Sequence, residues 1–221
     1  VQLSKEISDE SVVLLKNENG LLPLNAEKLR SVAVIGPNAD QVQFGDYTWS
    51  RNNKDGVTPL AGIRQLLGDK VTVRYEKGCS LVSLDTSGIK KAVEVARQSE
   101  VAIVFCGSAC AALARVYKSS TCGEGFDLND LNLTGAQSQL IKEVYETGTP
   151  VVLVLVTGKP FTISWEKKHI PAILTQWYAG EQAGNSIADI LFGKISPSGR
   201  LTFSFPQSTG HLPVYYDYLP S

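Results

Sequence analysis

The sequence predicts an α/β fold: a mostly parallel β-sheet with helices on both faces, an α/β sandwich. Two observations carry that prediction. Strand-like and helix-like segments alternate at least four times along the 221 residues. Most of the strand-like segments (S-V-A-V-I, V-A-I-V-F, V-V-L-V-L-V) are apolar throughout rather than at every second position, as expected of strands covered on both faces.

Taken in order, residues 3–15 read as a helix with Ile7, Val12, Leu14 and Leu15 as its apolar positions. Ser8 or Ser11 could interrupt or cap it. Residues 17–20 break it, and Leu21-Leu22-Pro23-Leu24 reads as an extended apolar segment that docks on a surface. Residues 31–35 are β-branched and stop at the turn signal Gly36-Pro37-Asn38, which predicts a buried strand. Residues 58–67 predict a helix with Thr58 as N-cap and Pro59 in the first helical position. An alternating strand follows at 70–75, an amphipathic helix at 86–98 and a buried strand at 101–105. Residues 134–147 return to helix, with Leu140, Ile141 and Val144 on one face and Thr134 capping. Strands are predicted at 151–156 and 172–178, and a short helix at 183–192 that ends at Gly193. The tail from 201 to 221 carries Pro206, Pro213 and Pro220 and is expected to wrap the surface in extended form. No repeat of 20–50 residues and no low-complexity tract is present.

Composition removes several classes of function. Hydrophobic residues make up 43% and charged residues 19%, enough to build a packed core and to exclude wholesale disorder. Lys and Arg number 21 against 22 Asp and Glu, a net charge of −1. No basic field exists to attract a nucleic acid, so none is expected as a partner. No apolar run approaches the ~20 residues needed to cross a bilayer, so no membrane partner is expected. No basic-then-apolar leader opens the chain. Cys79, Cys106, Cys110 and Cys122 form no C-x-x-C pair and are too few for a disulfide scaffold. With only His169 and His211 as imidazoles, they read as buried or idle thiols rather than a metal site.

In an open parallel sheet, ligands bind outside the carboxyl ends of the strands. Three segments should reach that edge: residues 36–47, 107–133 and 157–159. The first has neither dinucleotide nor phosphate-loop glycine spacing, and Pro37 removes an amide that a phosphate would need. No G-x-S-x-G elbow is present for a hydrolase triad. His169, after two lysines, and His211, in the proline-rich tail, read as surface residues. The second segment belongs to an aperiodic stretch, 106–133, and loops of that length inside a domain are usually functional. Within it stands Gly123-Glu124-Gly125, a carboxyl group with little steric cover and wide backbone freedom. It suits presentation to a substrate or to a neighbouring domain; from the residues alone, a solvated loop acid is the plainer reading. Asp130 suits a turn cap, and Asp127 suits a loop-structuring role through hydrogen bonds to loop amides. The stretch Trp177 through Asn185 reads as close helix-on-sheet packing allowed by Gly180 and Gly184, with sugar stacking on Trp177 as the other reading. Ser196-Pro197-Ser198-Gly199-Arg200-Leu201 reads as a structural turn. Asn132-Leu133-Thr134 matches the glycosylation triplet, a pattern common by chance.

Several stretches, in order and nearly end to end, resemble the second domain of family-3 glycoside hydrolases, the β-glucosidases and β-xylosidases. They are Glu10-Ser11-Val12-Val13-Leu14-Leu15-Lys16-Asn17 with Leu21-Leu22-Pro23-Leu24, then Val34-Ile35-Gly36-Pro37-Asn38-Ala39, then Gly123-Glu124-Gly125-Phe126-Asp127. Asp130-Leu131-Asn132-Leu133, Thr157-Gly158-Lys159-Pro160 and Trp177-Tyr178 follow, then Ala188-Asp189-Ile190-Leu191-Phe192-Gly193 and Pro197-Ser198-Gly199-Arg200-Leu201. His211-Leu212-Pro213-Val214-Tyr215-Tyr216 completes the set. The chain departs from the family at Leu128, where many members have Arg, at Ala179, where many have Pro, and at Gln182, where many have Glu.

The resemblance implies a linker helix and extended segment over 1–28, the sandwich domain over 29–205 and an extended tail over 206–221. It implies that the chain is one domain of a larger retaining, exo-acting β-glycosidase without metal or organic cofactor. Its partners would be an N-terminal (β/α)8 barrel, which supplies an aspartate nucleophile absent from this sequence, and a β-linked sugar. Glu124 becomes the candidate general acid/base, and Arg115 and Tyr117, upstream on the same loop, become candidate contacts to a sugar hydroxyl or the leaving group. A general acid working near neutral pH needs a raised pKa, which burial beside substrate and a second carboxylate would provide. The isolated domain is expected to be inactive, and the resemblance inclines towards a periplasmic or secreted location. Two other readings stand beside it: a non-catalytic carbohydrate-binding or docking module, and a flavodoxin-like nucleotide binder.

Overall fold

The computed structural model describes residues 1–48, 53–110, 120–125 and 127–215. Its sheet is built from β1 (Val13–Asn17), β2 (Ser31–Ile35), β3 (Thr72–Glu76), β4 (Val101–Gly107), β5 (Val151–Val156) and β6 (Ala172–Gln176). Their spatial order is β1-β6-β5-β4-β2-β3. All neighbours are parallel except β1, which runs antiparallel to β6. The expected mostly parallel α/β sandwich is therefore the observed architecture.

The continuous apolar strands have two cores to fill. In β4, Ile103 and Phe105 face one core, and Val104 and Cys106 face the other. In β5, Val152 and Val154 face the first, and Leu153 and Leu155 the second. Helices α2 (Pro59–Leu67) and α6 (Ala183–Leu191) cover the first face. Helices α3 (Ile89–Arg97), α4 (Gln137–Tyr145) and α5 (Ser164–His169) cover the second. Helix α1 (Gln2–Ser11) packs on α6. No helix among the described residues is long and apolar enough to cross a membrane.

Local chemistry places the start of α2 where the sequence puts it. Thr58 Oγ1 accepts from the Ala61 amide at 3.1 Å and donates to Asp40 Oδ1 at 2.9 Å. Such a cap stabilises a helix by about 1 kcal/mol. Elsewhere tertiary contacts override the local pattern. The helix expected over 3–15 stops at Ser11, and the chain turns into β1. Val12 is 0% exposed and Val13 7%, because β6 offers an open edge that the β-branched pair can join. Thr134 does not cap α4; its hydroxyl donates to the Leu81 carbonyl at 2.6 Å. Helix α5 went unexpected because six residues carry too little of a 3.6-residue period to be read. In the tail, Thr209–His211 make one 3-10 turn.

Candidate active site

Loops leaving four parallel strands meet beyond their carboxyl ends, including the three segments singled out in the sequence. The β2 loop brings Asp46 and Tyr47, the β4 loop Ser108, Cys110, Cys122 and Glu124, the β5 loop Thr157 and Lys159, and the β6 loop Tyr178. The end of β4 is pinned by the buried Gln137, whose Oε1 accepts from the Gly107 amide at 2.7 Å and whose Nε2 donates to the Gly107 carbonyl at 3.0 Å.

The floor of this region is a bonded polar network. The Tyr178 hydroxyl lies 2.6 Å from Ser108 Oγ and 2.8 Å from Cys122 Sγ. Ser108 reaches Thr157 Oγ1 at 3.3 Å, and Thr157 donates to the Lys159 carbonyl at 2.6 Å. Asn38 Nδ2 donates to the Ser108 carbonyl at 3.2 Å. Burial, then the neighbouring Cys122, pushes the Tyr178 phenol above its ordinary range, so it stays protonated and can donate. Burial lowers the Lys159 ammonium, which lies 5.0 Å from the Phe161 ring centroid. The hydroxyls and thiol that bond to one another here are suited to holding the loops rather than to reacting, while the buried Asn38 Oδ1 has no hydrogen-bond partner among the described residues.

Above the floor, Glu124 is exposed between Gly123 (φ 120°) and Gly125 (φ 75°). Its backbone amide donates to Asp46 Oδ2 at 2.7 Å. Its Oε2 accepts from the Tyr47 hydroxyl, and that bond is the main cause of the raised pKa of the Tyr47 phenol. Asp46 Oδ1 accepts from the Cys110 thiol at 2.7 Å. Burial, with that bond second, pushes Cys110 up to about 12, so the thiol keeps its proton. Cys110 and Cys122 form a single parallel β-bridge, and all four cysteines are free. Among the described residues no cluster of three or more His, Cys, Asp or Glu could hold a metal ion.

The other candidates fall as follows. Asp127 is exposed, and the loop amides described as bonded to a carboxylate are held by Asp46 and by Asp130, whose Oδ1 accepts from the Asn132 amide at 2.8 Å. Arg115 and Tyr117 lie outside the described residues. The amides of Gly36, Asn38 and Ala39 already donate to carbonyls of Glu76, Phe105 and Gly36, so the β2 turn offers no phosphate cradle. Trp177 is a packing residue: its indole donates to the Ser11 carbonyl at 3.0 Å and its ring meets Phe203 edge-on. Gly184 does make a close approach, but to main chain at Val57 and Thr58 at the start of α2 rather than to the sheet, whereas Gly180 has open space where a Cβ would sit and serves a left-handed turn. His169 stacks on Trp165 at 4.3 Å, and His211 is exposed. Sequence reasoning marked the segment holding Asp46 and Tyr47 but not those residues. Their only local signal is a short polar pair after a buried strand.

Residues 12–221 match the model of the glycosyl hydrolase family 3 C-terminal domain. Over 221 residues the chain is 37% identical to a β-xylosidase of Formosa agariphila, covering 97% of this chain and 29% of the relative. Over 238 residues it is 37% identical to a periplasmic β-glucosidase of Salmonella typhimurium, covering 98% and 30%. The crystal structure of a β-glucosidase from Listeria innocua superposes with a TM-score of 0.85 at 32% identity, covering 98% of this chain and 28% of that one. The chain thus spans under a third of the length of these relatives.

Proposed function

This chain belongs to glycosyl hydrolase family 3, whose C-terminal domain it matches, and on that premise we propose that it is the second domain of a retaining, exo-acting β-glycosidase in which Glu124 is the general acid/base. The observation that carries the reading is the presentation of Glu124. It is an exposed carboxyl group at the carboxyl edge of a parallel sheet, tied by both main chain and side chain to the β2 loop.

The chemistry needs two carboxyl groups about 5–5.5 Å apart. An aspartate on a partner (β/α)8 barrel of the same enzyme attacks the anomeric carbon of a terminal β-glucoside or β-xyloside. Glu124 gives its proton to the departing glycosidic oxygen. The Glu124 carboxylate then takes a proton from water as that water attacks the glycosyl-enzyme, which restores both groups and retains configuration. Neither step calls for a metal or organic cofactor. Arg115 and Tyr117 are proposed as sugar or leaving-group contacts and Asp127 as a support of the loop, all three on their sequence positions. Residues 1–28 are proposed to connect the two domains; the packing of α1 on α6 and the pairing of β1 with β6 suit a rigid connection.

The test is Glu124→Ala in the full-length enzyme carrying this chain, assayed on aryl β-glycosides with a good and a poor leaving group. Loss of a general acid should slow the poor leaving group by about 10²–10⁴-fold. The good one should suffer far less, and azide should restore its rate with glycosyl azide as product. Wild-type turnover of both substrates would refute the assignment.

A further inference from the structure

We infer that Asp46 is a positioning residue for Glu124, its carboxylate fixing the backbone from which the acid/base side chain is presented; the inference rests on the acid/base reading of Glu124. One oxygen accepts from the Glu124 amide and the other from the Cys110 thiol, each at 2.7 Å. Hydrogen bonds to an ionised carboxylate are roughly twice as strong as neutral ones. A single side chain therefore ties two points of the β4 loop to the β2 loop.

The loop needs such a tie. Glu124 stands between two glycines with positive φ, and a Cβ added at Gly125 would meet nothing within 4 Å. Side-chain packing does little to hold the main chain there, and glycines lose the most freedom on ordering. Asp46 itself is borne by a braced loop. Asn53 accepts from the Val42 amide at 2.9 Å and donates to the Asp40 carbonyl at 3.0 Å. The Val57 amide donates to the Glu181 carbonyl at 2.8 Å, next to the start of α6. The chain of contacts runs from helix framework to β2 loop to Asp46 to the Glu124 backbone. Tyr47, the next residue, adds the bond to Glu124 Oε2. The contact of Asp46 is with the amide and not with the reacting oxygens, so its effect on rate passes through Glu124.

A displacement of about 1 Å in a reacting group costs about 10²-fold in rate. In the full-length enzyme, Asp46→Ala should therefore lower kcat/KM on a poor leaving group by about 10²-fold, with the loss in kcat. A good leaving group, which needs little protonation, should lose under about threefold. The deciding measurement is Asp46→Ala in the Glu124→Ala background, where a residue acting through Glu124 has nothing further to remove. Asp46→Asn keeps one acceptor oxygen and the volume, and should show the same selectivity more weakly; it carries the test if Asp46→Ala fails to fold. Equal losses on both substrates, or the full Asp46 effect surviving in the Glu124→Ala background, would overturn the positioning role while leaving Glu124 as acid/base. If Glu124→Ala itself spares the poor leaving group, the acid/base reading falls first and this inference with it.

Discussion

Gly62 of α2 and Gly184 of α6 bring two helix backbones into contact: a Cβ added at Gly62 would lie 2.1 Å from the Gly184 carbonyl oxygen. A Cβ at Gly184 would lie equally close to the Thr58 carbonyl oxygen, at 2.1 Å. This contact seats α6 beside the cap of α2, and so holds the β2 and β6 loops together at the edge where Glu124 stands.

Gly62→Ala should therefore destabilise the fold. Alanine would gain about 1 kcal/mol from helix propensity. The obstacle is main chain on a packed helix, however, so the helices must separate, and overpacking of that kind costs about 1–3 kcal/mol or more. We expect a net loss of about 2 kcal/mol in urea unfolding. Unchanged or increased stability would mean that the two helices lie further apart.

Glu166 predicts a pH dependence. Its side chain is buried on α5 (4% exposed), and burial raises its carboxyl pKa; its own amide, Lys142 and His169 oppose the shift more weakly. Between the ordinary and the raised value the folded state binds more protons than the unfolded one, so stability falls as pH rises through that window. Glu166→Gln removes the penalty. The variant should melt above wild type at neutral pH, and the gap should close near about pH 4. A variant less stable than wild type at neutral pH would show that the attraction of Lys142 outweighs burial.

The thiols give an independent view of the Asp46 contact. Burial pushes Cys79 up to about 11 and Cys110 up to about 12, and lifts Cys106 well above the usual thiol range. The reactive species is the thiolate. At about pH 7.5, iodoacetamide should label these three slowly in the native chain and quickly after unfolding. Asp46→Asn should speed labelling of Cys110, because the ionised acceptor of its proton is gone. Mass spectrometry of timed digests reads both rates; a native Cys110 as reactive as a free thiol would contradict the contact.

Several elements were legible because they are locally overdetermined. Thr58 and Pro59 announce the start of α2, and Val151–Val156 is apolar at every position because both of its faces are covered. Glu124 stood out because two glycines flank it in a long aperiodic loop, and the ordered set of family-like segments led to its proposed role. Residues 13–15 were misread as helix because the strand character of Val13–Asn17 depends on β6, more than 150 residues away in sequence. Asp46 and Tyr47 were not singled out because nothing near them in the chain reveals their partners. Those partners lie 64, 77 and 78 positions on, at Cys110 and Glu124.

The sequence by itself determined the layer architecture, the family and the loop that offers a carboxyl group. Periodicity and turn chemistry act over a few residues and leave a local trace. Only the tertiary structure decided which side chains stand around that carboxyl group. Strand order sets β2 beside β4, and that adjacency alone lets a carboxylate from one loop hold the backbone of the other.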